Sequence, residues 1–172
     1  MARVIDIINE YLEKLVDIGF KHGATVDKFL GDGFMIRFNV PKPLENHQLK
    51  AIIAALEMQR TFITWKEGWY KFGFPVRDIY NRIGIACGPV YEVMLGHPQY
   101  RQDTVIGRPV VVASNLCEFA PRSRNIIAIC ENLYKKVSPK AIVKELPQEN
   151  LGKAKSLISK AYELLDLKEN KR

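Results

Sequence analysis

A chain of 172 residues, 47% of them apolar, is long enough for one domain with its own core, and it has no apolar run long enough to cross a membrane. Acidic residues inside the apolar N-terminal stretch exclude a signal peptide, while Cys87, Cys117 and Cys130, far apart and odd in number, exclude a disulfide framework or zinc site. We expect a cytoplasmic protein with reduced thiols whose net charge of +7, from 26 Lys and Arg against 19 Asp and Glu, suits a polyanion such as a nucleoside triphosphate, a nucleic acid or an acidic lipid face.

In chain order, Val4, Ile8, Tyr11, Leu12, Leu15 and Ile18 recur at helical spacing. Gly23 supplies a left-handed stop after His22, which sits where a helix C-terminus favours a cation. Val26 to Leu30 and Phe34 to Phe38 have strand character around Gly31-Asp32-Gly33, whose Asp-Gly pair signals a short hairpin. Pro41 and Pro43 end the second strand region. A second helix is expected from about Leu49 to Trp65, buried through Ile52, Ile53, Leu56, Met58 and Ile63, followed by an aromatic, glycine-rich loop from Trp65 to Pro75.

Arg82 to Cys87 alternates, with Ile83, Ile85 and Cys87 on one face, as a half-buried strand does. Val90 to Leu95 and Gln102 to Ile106 form a hairpin turning at Gly96-His97-Pro98. Pro109 suits the first turn of a helix reaching about Phe119. A short buried strand, Ile126 to Cys130, then leads into a short helix around Asn132 to Lys136. Leu157, Ile158, Ala161, Tyr162 and Leu165 fit a helix by spacing, although so short an apolar run also suits a strand. His47 and His97 lack a second ligand at metal spacing and read as surface residues. The chain is expected to be a single domain over residues 1–172, with a solvated basic tail at 165–172.

The segment Val26-Asp27-Lys28-Phe29-Leu30-Gly31-Asp32-Gly33-Phe34-Met35 sets a lysine and an aspartate on either side of a turn. It is joined by Ile83-Gly84-Ile85-Ala86-Cys87-Gly88 and by Asp103-Thr104-Val105-Ile106-Gly107-Arg108-Pro109-Val110-Val111-Val112-Ala113-Ser114-Asn115. In order and spacing the three resemble the class III nucleotide cyclase catalytic domain, the family of adenylate and guanylate cyclases, from about Val4 to about Leu165. The resemblance implies an α+β fold: a ferredoxin-like, antiparallel-rich sheet with helices packed on it and an added hairpin carrying Gly31-Asp32. It also implies a last strand at Lys160 to Leu165, and we adopt that strand over the helix.

Family members cyclise a nucleoside triphosphate, the 3′-hydroxyl attacking the α-phosphate while two aspartates hold two Mg²⁺ or Mn²⁺ ions, at sites shared across a head-to-tail dimer. By resemblance, Lys28 matches the base-reading lysine and points to adenine, and Thr104 matches its partner. Asp32 matches the second metal-binding aspartate. Lys155, in Lys153-Ala154-Lys155, matches a phosphate-binding lysine.

Three departures follow. The family's opening strand, which carries the first metal-binding aspartate, is missing from this chain. The asparagine that orients the ribose falls at Val111, and the arginine that stabilises charge at phosphorus falls at Asn115, too short and uncharged to replace a guanidinium fork. Arg108 stands where the family has an aspartate. No catalytic group of that pair is intact. The expected function is therefore an adenylate cyclase-homology domain, weakly active or inactive alone, serving as a nucleotide-binding or dimerising signalling module. ATP is the candidate ligand, and the partner is a second copy or another cyclase domain. A working adenylate cyclase completed by an upstream strand or a complementary subunit is the alternative. A nucleic-acid-binding module ranks last, resting on charge and on the aromatic cluster of Trp65, Trp69, Tyr70 and Phe72.

Overall fold

A computed structural model describes residues 2–169, so Lys171 and Arg172 of the basic tail lie outside the described residues. The chain packs as two compact units, Met1–Ile79 with Glu92–Val105, and Tyr80–Tyr91 with Ile106–Arg172.

In the first unit, helix α1 (Ala2–Lys21) buries Ile7, Leu15 and Ile18, and its first turn is solvated, with Val4 56% exposed. Gly23 ends the helix at φ 82°, and the Gly23 and Ala24 amides bond back to Phe20 and Gly19. Helix α2 (His47–Lys71) runs about two turns beyond the expected end at Trp65. Gly68 costs it about 1 kcal/mol against alanine. Aromatic packing offsets that: Trp65 lies 5.4 Å from Tyr11 and 5.7 Å from Phe62, and Trp69 meets Phe74 edge-on at 4.9 Å. The cluster expected as a loop is thus the last turns of a helix, with Trp65 in the α1–α2 seam. Phe62 is buried and Ile63 exposed, one position off the expected stripe.

Strands β1 (Thr25–Leu30) and β2 (Gly33–Arg37) form an antiparallel ribbon in which Leu30 pairs with Gly33. The turn residues are therefore Gly31-Asp32 rather than Asp32-Gly33. Gly31 takes φ 69°, the first-position glycine of a type II′-like hairpin turn. Strands β4 (Tyr91–His97) and β5 (Tyr100–Ile106) make a second, largely solvated hairpin. It turns at Pro98-Gln99, two residues past the expected start of the turn at Gly96.

The second unit is built on a four-stranded sheet. Strands β3 (Arg82–Ile85), β6 (Ile126–Cys130), β7 (Ala141–Glu145) and β8 (Ala161–Leu167) lie in the order β3-β6-β8-β7, with only β3–β6 parallel. Every residue of β6 is buried, and β8 settles the ambiguous segment as a strand. The β7 strand and a 3₁₀ segment at Gln148–Ser156 were not legible in the spacing. Helix α3 (Arg108–Phe119) carries Pro109 in its first turn and packs on β3 so closely that a Cβ at Gly84 would sit 2.6 Å from the Cys117 nitrogen. Arg82 donates to the Cys117 and Glu118 carbonyls, placing a cation at the helix C-terminus. A short helix, α4 (Glu131–Val137), follows β6. Antiparallel pairing dominates throughout, and the architecture is α+β.

Candidate nucleotide site

Lys28 projects from β1 beside a buried charge cluster in the first unit. Its Nζ lies 3.3 Å from Asp27 Oδ1, and the Thr104 hydroxyl donates to that same oxygen at 2.7 Å. Thr104, on β5, is 2% exposed. The structure thus brings the two expected base-reading residues together on a third residue, Asp27. Arg37, at the end of β2 and also buried, donates to Asp103, with its Nη1 3.7 Å from Asp27 Oδ2 and 3.9 Å from Glu92 Oε1. A guanidinium taken out of water needs nearby carboxylates to offset its lost hydration, and three surround this one.

Asp27, Arg37 and Asp103 were not singled out by sequence reasoning. The usable signal was an arginine closing an apolar strand, Phe34-Met35-Ile36-Arg37, with no solvated flank to take it.

Asp32 stands exposed at the tip of the β1–β2 turn. Among the described residues, no group of three or more His, Cys, Asp or Glu is arranged to hold a metal ion. One carboxylate does not make a two-ion site, so these residues do not by themselves fit the pair of metals that the resemblance implies.

In the second unit, Val111 is 48% exposed on α3 and presents only methyl groups. Asn115, one turn later, is buried and engaged at both ends of its amide: its Nδ2 donates to the Val111 carbonyl at 2.8 Å, and its Oδ1 accepts the Lys153 amide at 3.1 Å. It pins α3 to the 3₁₀ segment, and its burial leaves the rest of the amide little access to a ligand. Arg108 is exposed at the start of α3, and Lys155 is exposed in the 3₁₀ segment.

The same unit holds a thiol pair, Cys87 just beyond β3 and Cys130 at the end of the neighbouring β6. A hydrogen bond from Cys87, helped by the Leu133 and Asn132 amides, outweighs burial and pushes the Cys130 thiol down to about 6. The shared bond and burial push Cys87 up.

The Adenylate and Guanylate cyclase catalytic domain family matches residues 1–155 of this sequence. The chain belongs to that family. The adenylyl cyclase CyaB from P. aeruginosa is similar in structure, with a TM-score of 0.81 at 20% identity, over 99% of this chain and 86% of that one. The non-canonical dimeric guanylyl cyclase domain of the RhoGC fusion protein from the aquatic fungus Blastocladiella emersonii is also similar, with a TM-score of 0.72 at 17% identity, over 95% of this chain and 84% of that one. These likenesses bear out the ferredoxin-like cyclase fold. The uncharacterized protein Rv1318c of Mycobacterium tuberculosis is 29% identical over 119 residues, 69% of this chain. The cyclase-family chain spans about 20% of the length of that relative. No helix among its described residues is long and apolar enough to cross a membrane.

Proposed function

We propose that this cyclase-family chain binds an adenine nucleotide and dimerises as a signalling module, with little or no cyclase turnover of its own. The observation that carries this is Asn115, whose amide is spent at both ends on the fold. A cyclase needs charge-stabilising donors aimed at the reacting phosphate, and loss of one such donor costs on the order of 10²–10³ in rate. Val111 adds a second gap on the same helical face, one turn away.

Base recognition would fall to Lys28, whose ammonium donates to the adenine ring acceptor and is mismatched against the donor edge of guanine. Lys155 supplies positive charge for the phosphates. Asp32 would offer a carboxylate oxygen to a Mg²⁺ or Mn²⁺ ion carried in by the triphosphate. The family's head-to-tail arrangement supports a homodimer or a heterodimer with another cyclase domain, and a strict monomer in light scattering at high concentration contradicts it.

The test pairs calorimetry with turnover on one preparation. ATP binds more tightly than GTP, Lys28→Glu narrows that gap, and ATP with Mn²⁺ yields no cyclic AMP above background. Sustained cyclic AMP production by the chain alone overturns the proposal. So does equal or undetectable affinity for both nucleotides.

A further inference from the structure

The β1–β2 ribbon contains an irregularity at the place where Lys28 emerges. Val26 opposes Ile36 and Lys28 opposes Met35, so Asp27 between them is an extra residue with no partner on β2. This is a β-bulge, a device that re-aims a side chain. In a regular strand, neighbouring side chains point to opposite faces, which would hold the charges of residues 27 and 28 apart. The bulge lifts that alternation, and the ammonium comes to 3.3 Å from the carboxylate.

The three polar groups that meet there differ in access. The Asp27 side chain is 0% exposed and that of Lys28 is 30% exposed. Thr104 is buried behind them, with its proton committed to Asp27. Only the ammonium faces a ligand. Resting on the nucleotide-binding role proposed above, we infer that Asp27 is a positioning residue that sets base preference by fixing Lys28, and that Thr104 acts through Asp27 rather than by touching the base.

The chemistry favours this division of labour. A lysine stem has many rotamers, and an unanchored ammonium offers a donor in no fixed direction. The Asp27 carboxylate, 3.3 Å away, holds the ammonium by charge and so limits where its N–H groups can point. The carboxylate is itself fixed by the Thr104 hydroxyl on Oδ1, with the Arg37 guanidinium attracting Oδ2 by charge from 3.7 Å. A preorganised donor binds more tightly and discriminates more sharply than a mobile one.

The test uses the full chain, with ATP and GTP affinities from calorimetry and folding checked by circular dichroism. Asp27→Asn keeps the shape and the acceptor for Thr104 but removes the charge that holds the ammonium. It lowers ATP affinity about tenfold and moves the ATP/GTP ratio toward one. Thr104→Val shifts the ratio the same way in the natural chain and leaves it unchanged in a Lys28→Ala background, while Thr104→Ser retains the natural ratio.

An ATP/GTP ratio in Asp27→Asn equal to that of the natural chain overturns the inference. A further shift by Thr104→Val in the Lys28→Ala background overturns it too, by showing direct contact with the base. Should Asp27→Asn not fold, the Thr104 variants decide alone. Failure of the natural chain to bind ATP is a different result: it removes nucleotide binding itself, whereas failure of this inference leaves the natural ATP preference in place.

Discussion

Asn115 donates its side-chain amide to the carbonyl of Val111, one turn earlier on α3, and accepts the backbone amide of Lys153 from the 3₁₀ segment. By the resemblance, the bond spans the positions that match the cyclase family's asparagine and arginine. Asn115 acts here as a clamp. Asn115→Leu fills similar volume but leaves the Lys153 amide unpaired, and costs about 1–3 kcal/mol. Val111→Asn, at a solvated position, stays within about 0.5 kcal/mol of the natural chain. Urea titrations of both variants measure the difference.

Gly84 is where α3 lies on β3, and an added Cβ would meet the Ala113 carbonyl oxygen and the Cys117 nitrogen, both backbone atoms. Backbone cannot swing aside as a side chain does. Gly84→Ala therefore destabilises by about 1–3 kcal/mol or more, read as a lower urea midpoint with an unchanged slope. Gly68→Ala, where a Cβ meets nothing within 4 Å, raises the midpoint instead.

Glu57 on α2 accepts Lys21 at 2.6 Å and His22 at 2.7 Å, tying the end of α1 to α2. Those hydrogen bonds, Lys21's first, hold its carboxyl below the usual 4.5. A carboxyl lowered in the folded state contributes stability above its unfolded value and loses it as pH falls through the folded one. Thermal melts from pH 6 to pH 3 should show a drop below about pH 4.5 that is smaller in Glu57→Gln.

The neighbouring Cys87 thiol, with the Leu133 and Asn132 amides adding support, pushes the Cys130 thiol down to about 6. Thiolate absorbance at 240 nm should therefore rise between pH 5 and pH 7, well below the ordinary thiol range. Cys130→Ser abolishes that rise. Cys87→Ser keeps a donor but weakens the bond, so it moves the rise upward. An absorbance that first appears above pH 8 contradicts the pairing.

What was legible in the chain was local. Ile126 to Cys130, an apolar run bounded by polar residues, is the buried strand it reads as, and Pro109 marks the start of α3. Gly23 ends α1 because its φ of 82° suits no other residue so well. Longer-range effects were hidden. The last turns of α2 depend on Tyr11, far off in sequence, packing on Trp65, which no window around Gly68 contains. The β7 strand mixes exposed and buried residues at an edge of its sheet and shows no clean alternation. At the candidate site, Lys28, Asp32 and Thr104 were singled out by family resemblance, whereas Asp27 was passed over because its place beside Lys28 comes from a bulge, a pairing fact between two strands.

Arg37 also bears on how the chain finds its pairing. Hairpins slip easily in the unfolded ensemble, and a slip of one residue turns every side chain of a strand to the other face. At β2 such a slip would carry the guanidinium, itself only 7% exposed, away from Asp27, Asp103 and Glu92, and would take a cation from the fully buried Asp27 carboxylate. Apolar residues such as Met35 and Ile36 tolerate exchange of their surroundings far better than a charge does. The arginine therefore acts as a checksum for assembly, since β1, β4 and β5 bring their carboxylates around it together only in the native register.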